Sequence, residues 1–235
     1  MQHSIWFLNY YIMNKHLVKI NSIKHITSDV LQIVTEKPQN YNFTPGQATE
    51  ISINNDDWKD KKRPFTFTNL PEDNFLEFTI KTYTTYKGVT NELLKLKKDD
   101  ELILHDVFGD ISYKGKGIFI AGGSGITPFI SIFRDLQSKE EIGNNKLIFA
   151  NKTEDDIILA SEFKKLLDKN FINILSNEKV DGYAHGQITE DFLKDHISDS
   201  TQNVYLCGPP QMMDAIEKQL VNLKINKEQI IKEEF

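Results

Sequence analysis

The sequence predicts two domains in tandem: an antiparallel Greek-key β-barrel, then an α/β domain built on a parallel sheet. Three observations carry that prediction. The first half breaks into short β-type runs separated by turns, the second alternates strand-like and helix-like runs, and the change falls at the polar residues 112–116. A length of 235 residues suits two domains of ordinary size. Residues 1–14 are read as an N-terminal extension, 15–113 as the barrel and 114–235 as the α/β domain.

Each element follows from its pattern. In the first half, residues 17–26, 30–35, 48–53, 65–68, 75–81 and 102–104 are β-type, and 75–80 alternate in part, as a half-buried strand does. Pro45-Gly46 and Leu70-Pro71-Glu72-Asp73-Asn74 are turn signals, and only 90–96 reads as helix. In the second half, 117–121 is a short apolar run typical of a buried strand, followed by glycines and an amphipathic helix over 128–137. Strand-like runs at 146–150, 171–175, 203–207 and 229–232 then alternate with helical runs at 157–168, 188–196 and 209–223. That alternation predicts a parallel sheet covered on both faces.

Composition narrows the function classes. A single cysteine, Cys207, excludes an internal disulfide framework and a Cys-ligated iron–sulfur or zinc site built from this chain alone. It points to a reducing compartment, the cytoplasm. Residues 15–116 hold 15 Lys and Arg against 15 Asp and Glu, so the net charge of −6 falls wholly on the second half. A nucleic-acid binder shows the opposite bias. Residues 1–12 are apolar but too short to span a bilayer, and they lack the basic start and cleavage site of a signal peptide. Met13-Asn14-Lys15 reads as a second start, and the first twelve residues are given no function.

Four short motifs carry chemistry. Arg63-Pro64-Phe65-Thr66 combines a cation, an aromatic face and a hydroxyl, the three contacts that a flavin nucleotide needs for its phosphates, its ring and its N5. Alone, the string is also a basic residue before a strand. Gly88-Val89-Thr90 opens the small helix, where backbone N–H groups and a Thr90 cap suit a phosphate; alone, it reads rather as an ordinary helix start. Gly122-Gly123-Ser124-Gly125-Ile126-Thr127-Pro128 lies between a strand and a helix, where glycines admit a pyrophosphate to the helix N-terminus. It is neither a G-x-G-x-x-G fingerprint nor a P-loop, and a ligand-free tight turn fits it as well. Cys207-Gly208-Pro209-Pro210 ends a later strand of the same sheet, so both glycine turns face one crevice. Without its neighbours Cys207 is a buried small hydrophobe.

In this order, and with the chain's final Glu233-Glu234-Phe235, these motifs resemble the ferredoxin–NADP reductase superfamily. The subgroup is the flavodoxin/ferredoxin and oxygenase reductases without an iron–sulfur domain, and the resemblance covers residues 15–235. It implies a flavin barrel and a nicotinamide-nucleotide domain with the active site between them. FAD rather than FMN is implied, with NADH or NADPH as coenzyme. By position, Arg63 would meet the flavin phosphates, Pro64 and Phe65 would lie against the isoalloxazine, and Thr66 would bond near N5. Lys81 and Gly88, Val89 and Thr90 would hold the flavin nucleotide. Gly123, Ser124, Gly125, Thr127 and Pro128 would cradle the coenzyme, with Lys152, Ser176, Gly208 and Pro209. Cys207 would lie near the nicotinamide, Glu233 would assist there, and Phe235 would cover the flavin until nicotinamide displaces it. The implied catalytic set is Thr66, Cys207, Glu233 and Phe235.

The resemblance implies hydride transfer from nicotinamide C4 to flavin N5, then single electrons passed to a ferredoxin or flavodoxin. Lys59, Lys61, Lys62 and Lys87 are candidates for docking such a carrier, or belong to a solvated loop balanced by Asp56, Asp57 and Asp60. Two departures stand out. Phe65 replaces the usual Tyr, and Asp106-Val107-Phe108-Gly109-Asp110 keeps only the second half of a Gly-Pro-Phe-Gly-type turn. Asn177 and Glu178 follow Ser176 where NADPH users place Arg, which favours NADH, although Lys152 and Lys179 lie close. An oxygenase (for example P450) reductase component, a free-flavin reductase and a non-catalytic electron-transfer subunit remain alternatives. A monomer without membrane or nucleic-acid partners is expected.

Overall fold

The computed structural model describes residues 15–197 and 199–233. The N-terminal extension and Phe235 therefore lie outside the described residues. Strands β1 (His16–Thr27), β2 (Val30–Glu36), β3 (Ala48–Ile53), β4 (Arg63–Thr66), β5 (Phe75–Lys81) and β6 (Glu101–Phe108) form one antiparallel sheet in the order β4-β3-β6-β1-β2-β5. Its two ends meet: Phe67 bridges Phe78, and the Thr68 N–H donates to the Glu77 carbonyl at 2.8 Å, curling the sheet into a barrel. Leu76, Phe78, Ile33, Ile51 and Phe67 alternate inward along their strands and fill it without measurable exposure. Proline is tolerated in β4 because its ladder partners lie on one side only, through β3.

The sequence places a Thr90 cap on the small helix, and the structure differs. Gly88 is the N-cap of α1 (Val89–Glu92) and no side chain bonds the helix start. Thr90 lies inside the first turn, where its hydroxyl is past the capping position.

The second sheet is parallel throughout. Strands β7 (Gly117–Gly122), β8 (Lys146–Asn151), β9 (Phe171–Leu175), β10 (Ala184–His185), β11 (Asn203–Cys207) and β12 (Ile230–Lys232) are ordered β10-β9-β8-β7-β11-β12. Along β7, Phe119 and Ala121 pack with α2 (Thr127–Ser138) and α3 (Ala160–Leu167). Ile118 and Ile120 face the opposite way, toward α4 (Glu190–His196) and α5 (Pro210–Asn222). Both faces are thus buried, as a parallel sheet requires. The order reverses at β7, so a crevice opens at the carboxyl ends of β7 and β11.

The halves are pinned together. Residues 109–116 connect β6 to β7, and there the Tyr205 hydroxyl accepts from Lys114 N–H at 2.8 Å and donates to the Gly115 carbonyl at 2.6 Å. Val30 of the barrel and Ile111 of the connection join the core under α2. Gly46, at φ +100°, donates its N–H to Ser131 Oγ at 3.0 Å. A side chain on Gly46 would strike the Ile111 carbonyl, so the close approach depends on glycine. Among the described residues no helix is long and apolar enough to cross a membrane.

Candidate functional site

A cleft of about 1020 Å³ runs between the two sheets. The barrel supplies Ala48, Pro64, Thr66, Lys81, Tyr83 and Phe108, and the parallel sheet supplies the turns after β7, β8, β9 and β11. From the sequence-derived set the cleft gathers Pro64, Thr66, Lys81, Gly123, Ser124, Gly125, Thr127, Pro128, Lys152, Ser176, Cys207, Gly208, Pro209 and Glu233.

The strand pleat sorts the Arg63–Thr66 motif. Pro64 and Thr66 line the cleft, whereas Phe65 is half-buried against the barrel core. Arg63 is exposed, and its guanidinium donates to the Lys62 carbonyl. Gly88, Val89 and Thr90 do not line the cleft; Val89 is buried in the barrel core, and the preceding loop contributes Tyr83 instead. Lys81 Nζ sits 2.7 Å from the Asp29 carboxylate, which fixes its position at the cleft wall.

The glycines have separable roles. Gly125 presses against the second turn: a Cβ there would overlap the Cys207 carbonyl and lie 2.6 Å from Gly208 Cα. Gly122 meets Met212, with Cβ-to-sulfur spacing of 2.5 Å, and Gly208 packs on Met212 and Gly122. Gly123 alone of this group has positive φ, +52°, with open space where a side chain would stand. Three glycines therefore hold the two turns together, and the fourth leaves room in the cleft.

Helices α2 and α5 both begin at this cleft, with proline in their first positions and no side chain capping them. Thr127 N–H donates to the Ser124 carbonyl and Met212 N–H to the Pro209 carbonyl, so what the two starts offer together is the positive end of two helix dipoles where an anion would bind. A pyrophosphate fits that arrangement, with Gly123 admitting it and Thr66 and Pro64 across the gap.

Burial, and then the Glu233 carboxylate, push the Cys207 thiol up to about 12. That direction favours the neutral thiol at working pH, on a side chain that is half-buried in the cleft wall. Iodoacetamide is expected to modify it roughly 1,000-fold more slowly at pH 8 than an ordinary cysteine. Because the folded value lies above the ordinary 9.0, this group's contribution to stability is intact below pH 9 and is lost as pH rises toward 12. Rapid labelling with a midpoint near the ordinary value would contradict this environment. Glu233 itself accepts from the Asp110 and Ile111 N–H groups, each at 3.4 Å, so it joins the cleft to the connection between the domains.

Sequence reasoning missed Tyr83, Asn151, Asp156, Gln187 and Met212 in the lining. A signal existed for Asn151, the first polar residue after the apolar run of β8 and thus at a strand's carboxyl end. Asp156 is held by the Thr153 N–H and hydroxyl at 3.0 and 2.9 Å.

A family model described as an FAD-binding domain matches residues 14–147, and one described as an oxidoreductase NAD-binding domain matches residues 119–218. The chain belongs to the ferredoxin–NADP reductase superfamily. It binds FAD and a nicotinamide nucleotide.

Superfamily relatives include an NADH-cytochrome b5 reductase 2 of Mycosarcoma maydis, 29% identical over 84% of this chain and 62% of the relative. The propane 2-monooxygenase reductase component of Mycolicibacterium smegmatis is 27% identical over 92% of this chain and 66% of the relative. The chain thus spans under two thirds of the length of these curated relatives. A superfamily structure, the Neisseria gonorrhoeae ferredoxin NADP+ reductase with bound FAD and NADP, superposes with a TM-score of 0.80 at 18% identity, over 93% of this chain and 97% of that one. At that identity the likeness concerns the fold.

Proposed function

We propose that the chain is a flavoprotein reductase that takes hydride from NAD(P)H and passes single electrons to a ferredoxin- or flavodoxin-type carrier. The observation that supports this most is the single cleft shared by Pro64 and Thr66 of the barrel and by both glycine turns of the parallel sheet. Bound FAD would supply an acceptor for two electrons that can be released one at a time. The protein's part is alignment and exclusion of water. Thr66 offers a hydroxyl at the barrel wall, Arg63 and Lys81 offer charge, and the starts of α2 and α5 receive phosphate. Cys207 contributes bulk beside the reacting rings without a charge of its own. Glu233 anchors the neighbouring backbone, and Phe235 is assigned the flavin-covering role on the resemblance alone.

NADH is the proposed coenzyme. Asp156 and Lys152 line the cleft with Ser176, and the Glu178 carboxylate accepts from the Glu154 N–H at 2.8 Å, which keeps a negative charge beside that wall. A 2′-phosphate would meet like charge there, offset only by Lys152 and Lys179. The NADH-cytochrome b5 reductase relative points the same way.

A second acceptor, an oxygenase, is favoured by the propane monooxygenase reductase relative and by the state of the lysine loop. Lys59 pairs with Asp56 at 2.8 Å, Lys62 with Glu50 at 3.2 Å, and Lys61 lies over the Trp58 ring at 4.1 Å. That compensation weakens attraction for an acidic carrier.

Anaerobic titration of the FAD-loaded protein tests the reading. Bleaching of the flavin band by NADH, at least about 10-fold faster than by NADPH, is the expected result. Turnover with ferredoxin, flavodoxin and free FMN at rising salt then separates the acceptors, and a steep salt dependence marks an acidic carrier. A protein that stays colourless after FAD is added would defeat the proposal.

A further inference from the structure

Among the described residues, a buried charge cluster lies outside the cleft, on the seam between the domains. Glu77 of β5 is 9% exposed. Its Oε1 accepts from Arg134 Nη1 at 2.7 Å and from Thr68 Oγ1 at 2.9 Å, and its Oε2 accepts from Gln32 Nε2 at 2.9 Å. Arg134, on α2, also donates from Nη1 to the Thr68 carbonyl at 2.7 Å. Its Nε and Nη2 grip the Glu162 carboxylate of α3 at 2.7 and 2.9 Å. One guanidinium therefore ties the barrel to two helices of the parallel-sheet domain, a task that needs its planar fork.

The two ends of this tie lead to the two sides of the cleft. Thr68 follows Thr66 by two residues on the same segment, so the Arg134 bond holds the backbone that presents the Thr66 hydroxyl. On the other side α2 is a single rigid helix from Thr127, at the cleft, to Arg134 and beyond. Two turns of helix and the two residues after β4 are all that separate the tie from both faces.

We propose that Arg134 is a positioning residue for hydride transfer: through Glu77 and the Thr68 carbonyl it fixes the angle between the domains, and so the separation of the nicotinamide and flavin sites. The inference rests on the hydride-transfer reading above. It concerns alignment, which acts on the reductive step alone, because a small outer-sphere oxidant reaches the flavin without the coenzyme.

The test compares wild type with R134K, in which the charge remains and the fork is lost. The expected result is an on-the-order-of 10- to 100-fold slower reduction of the flavin at saturating NADH, with reoxidation of the reduced protein by two equivalents of ferricyanide unchanged. A readout independent of activity is hydrogen exchange of the Gly46 amide, bonded across the seam to Ser131. In the coenzyme-free protein it is expected to exchange faster in R134K. If R134K does not accumulate folded, E77Q, which keeps the shape and removes the charge across the seam, is measured in the same way. Reduction and Gly46 exchange both at wild-type values, whatever the melting temperature, would overturn the proposal. Failure of the wild type itself to be reduced by NADH would overturn the reading beneath it instead.

Discussion

Gly125→Ala is expected to abolish flavin reduction by the coenzyme, by about 100-fold or more, while FAD stays bound. The added methyl would fall inside the Cys207 carbonyl and 2.6 Å from Gly208 Cα. Neither neighbour can step aside cheaply. Cys207 is locked in register with Ala121, and Gly208 is already packed on Met212. Overpacking of this kind costs about 1–3 kcal/mol, and the relief available is to spread the two turns that shape the crevice. The barrel is untouched, so flavin content serves as an internal control. Gly88→Ala is the companion, since at φ −118° with nothing within 4 Å it is expected to be silent. Stopped-flow reduction at wild-type speed in Gly125→Ala would show that the turns do not shape the coenzyme site.

Phe67→Ala is expected to cost about 3–5 kcal/mol of stability and to weaken FAD retention. The ring is fully buried, stacked on Phe43 at 4.2 Å and packed on Phe78 at 5.3 Å and Tyr41 at 6.0 Å. It also stands where the barrel closes, with its N–H donating to the Gln47 carbonyl at 3.1 Å. Loss of the ring leaves a cavity directly behind Thr66. A urea midpoint within error of wild type would show that closure depends on the backbone ladder instead.

Much of this was legible in the chain. The runs at 48–53, 75–81, 171–175 and 203–207 coincide with strands, because burial on one or both faces imposes the apolar pattern that marks them. The glycine turns and the Cys207 turn were legible as two ends of one crevice, since parallel strands bring their carboxyl ends together. Other features left no local trace. β4 lies two residues earlier than its apolar pattern implied, because the ladder to β3 accepts Arg63 and Pro64 at an edge. β6 runs on to Phe108 through His105 and Asp106, polar residues that interrupt the apolar run. β10 has two residues and no period to read. Arg134 and Glu77 are 57 positions apart, and an arginine on an amphipathic helix reads as a solvated face until the fold brings a carboxylate to it. The pleat that turns Phe65 into the barrel and Pro64 toward the cleft is likewise a matter of register.

The chain order of the contacts has a consequence for synthesis. Every strand of the barrel has left the ribosome once Phe108 has, but the seam at the cleft is finished by β12 and Glu233, roughly 125 residues later, on the order of 6–25 s at ~5–20 residues per second. For that interval the nascent chain holds all the barrel strands beside a parallel-sheet half that still lacks its outer strand. The cleft between the two sheets is therefore completed only after Glu233 has emerged, later than the barrel wall that lines its other side.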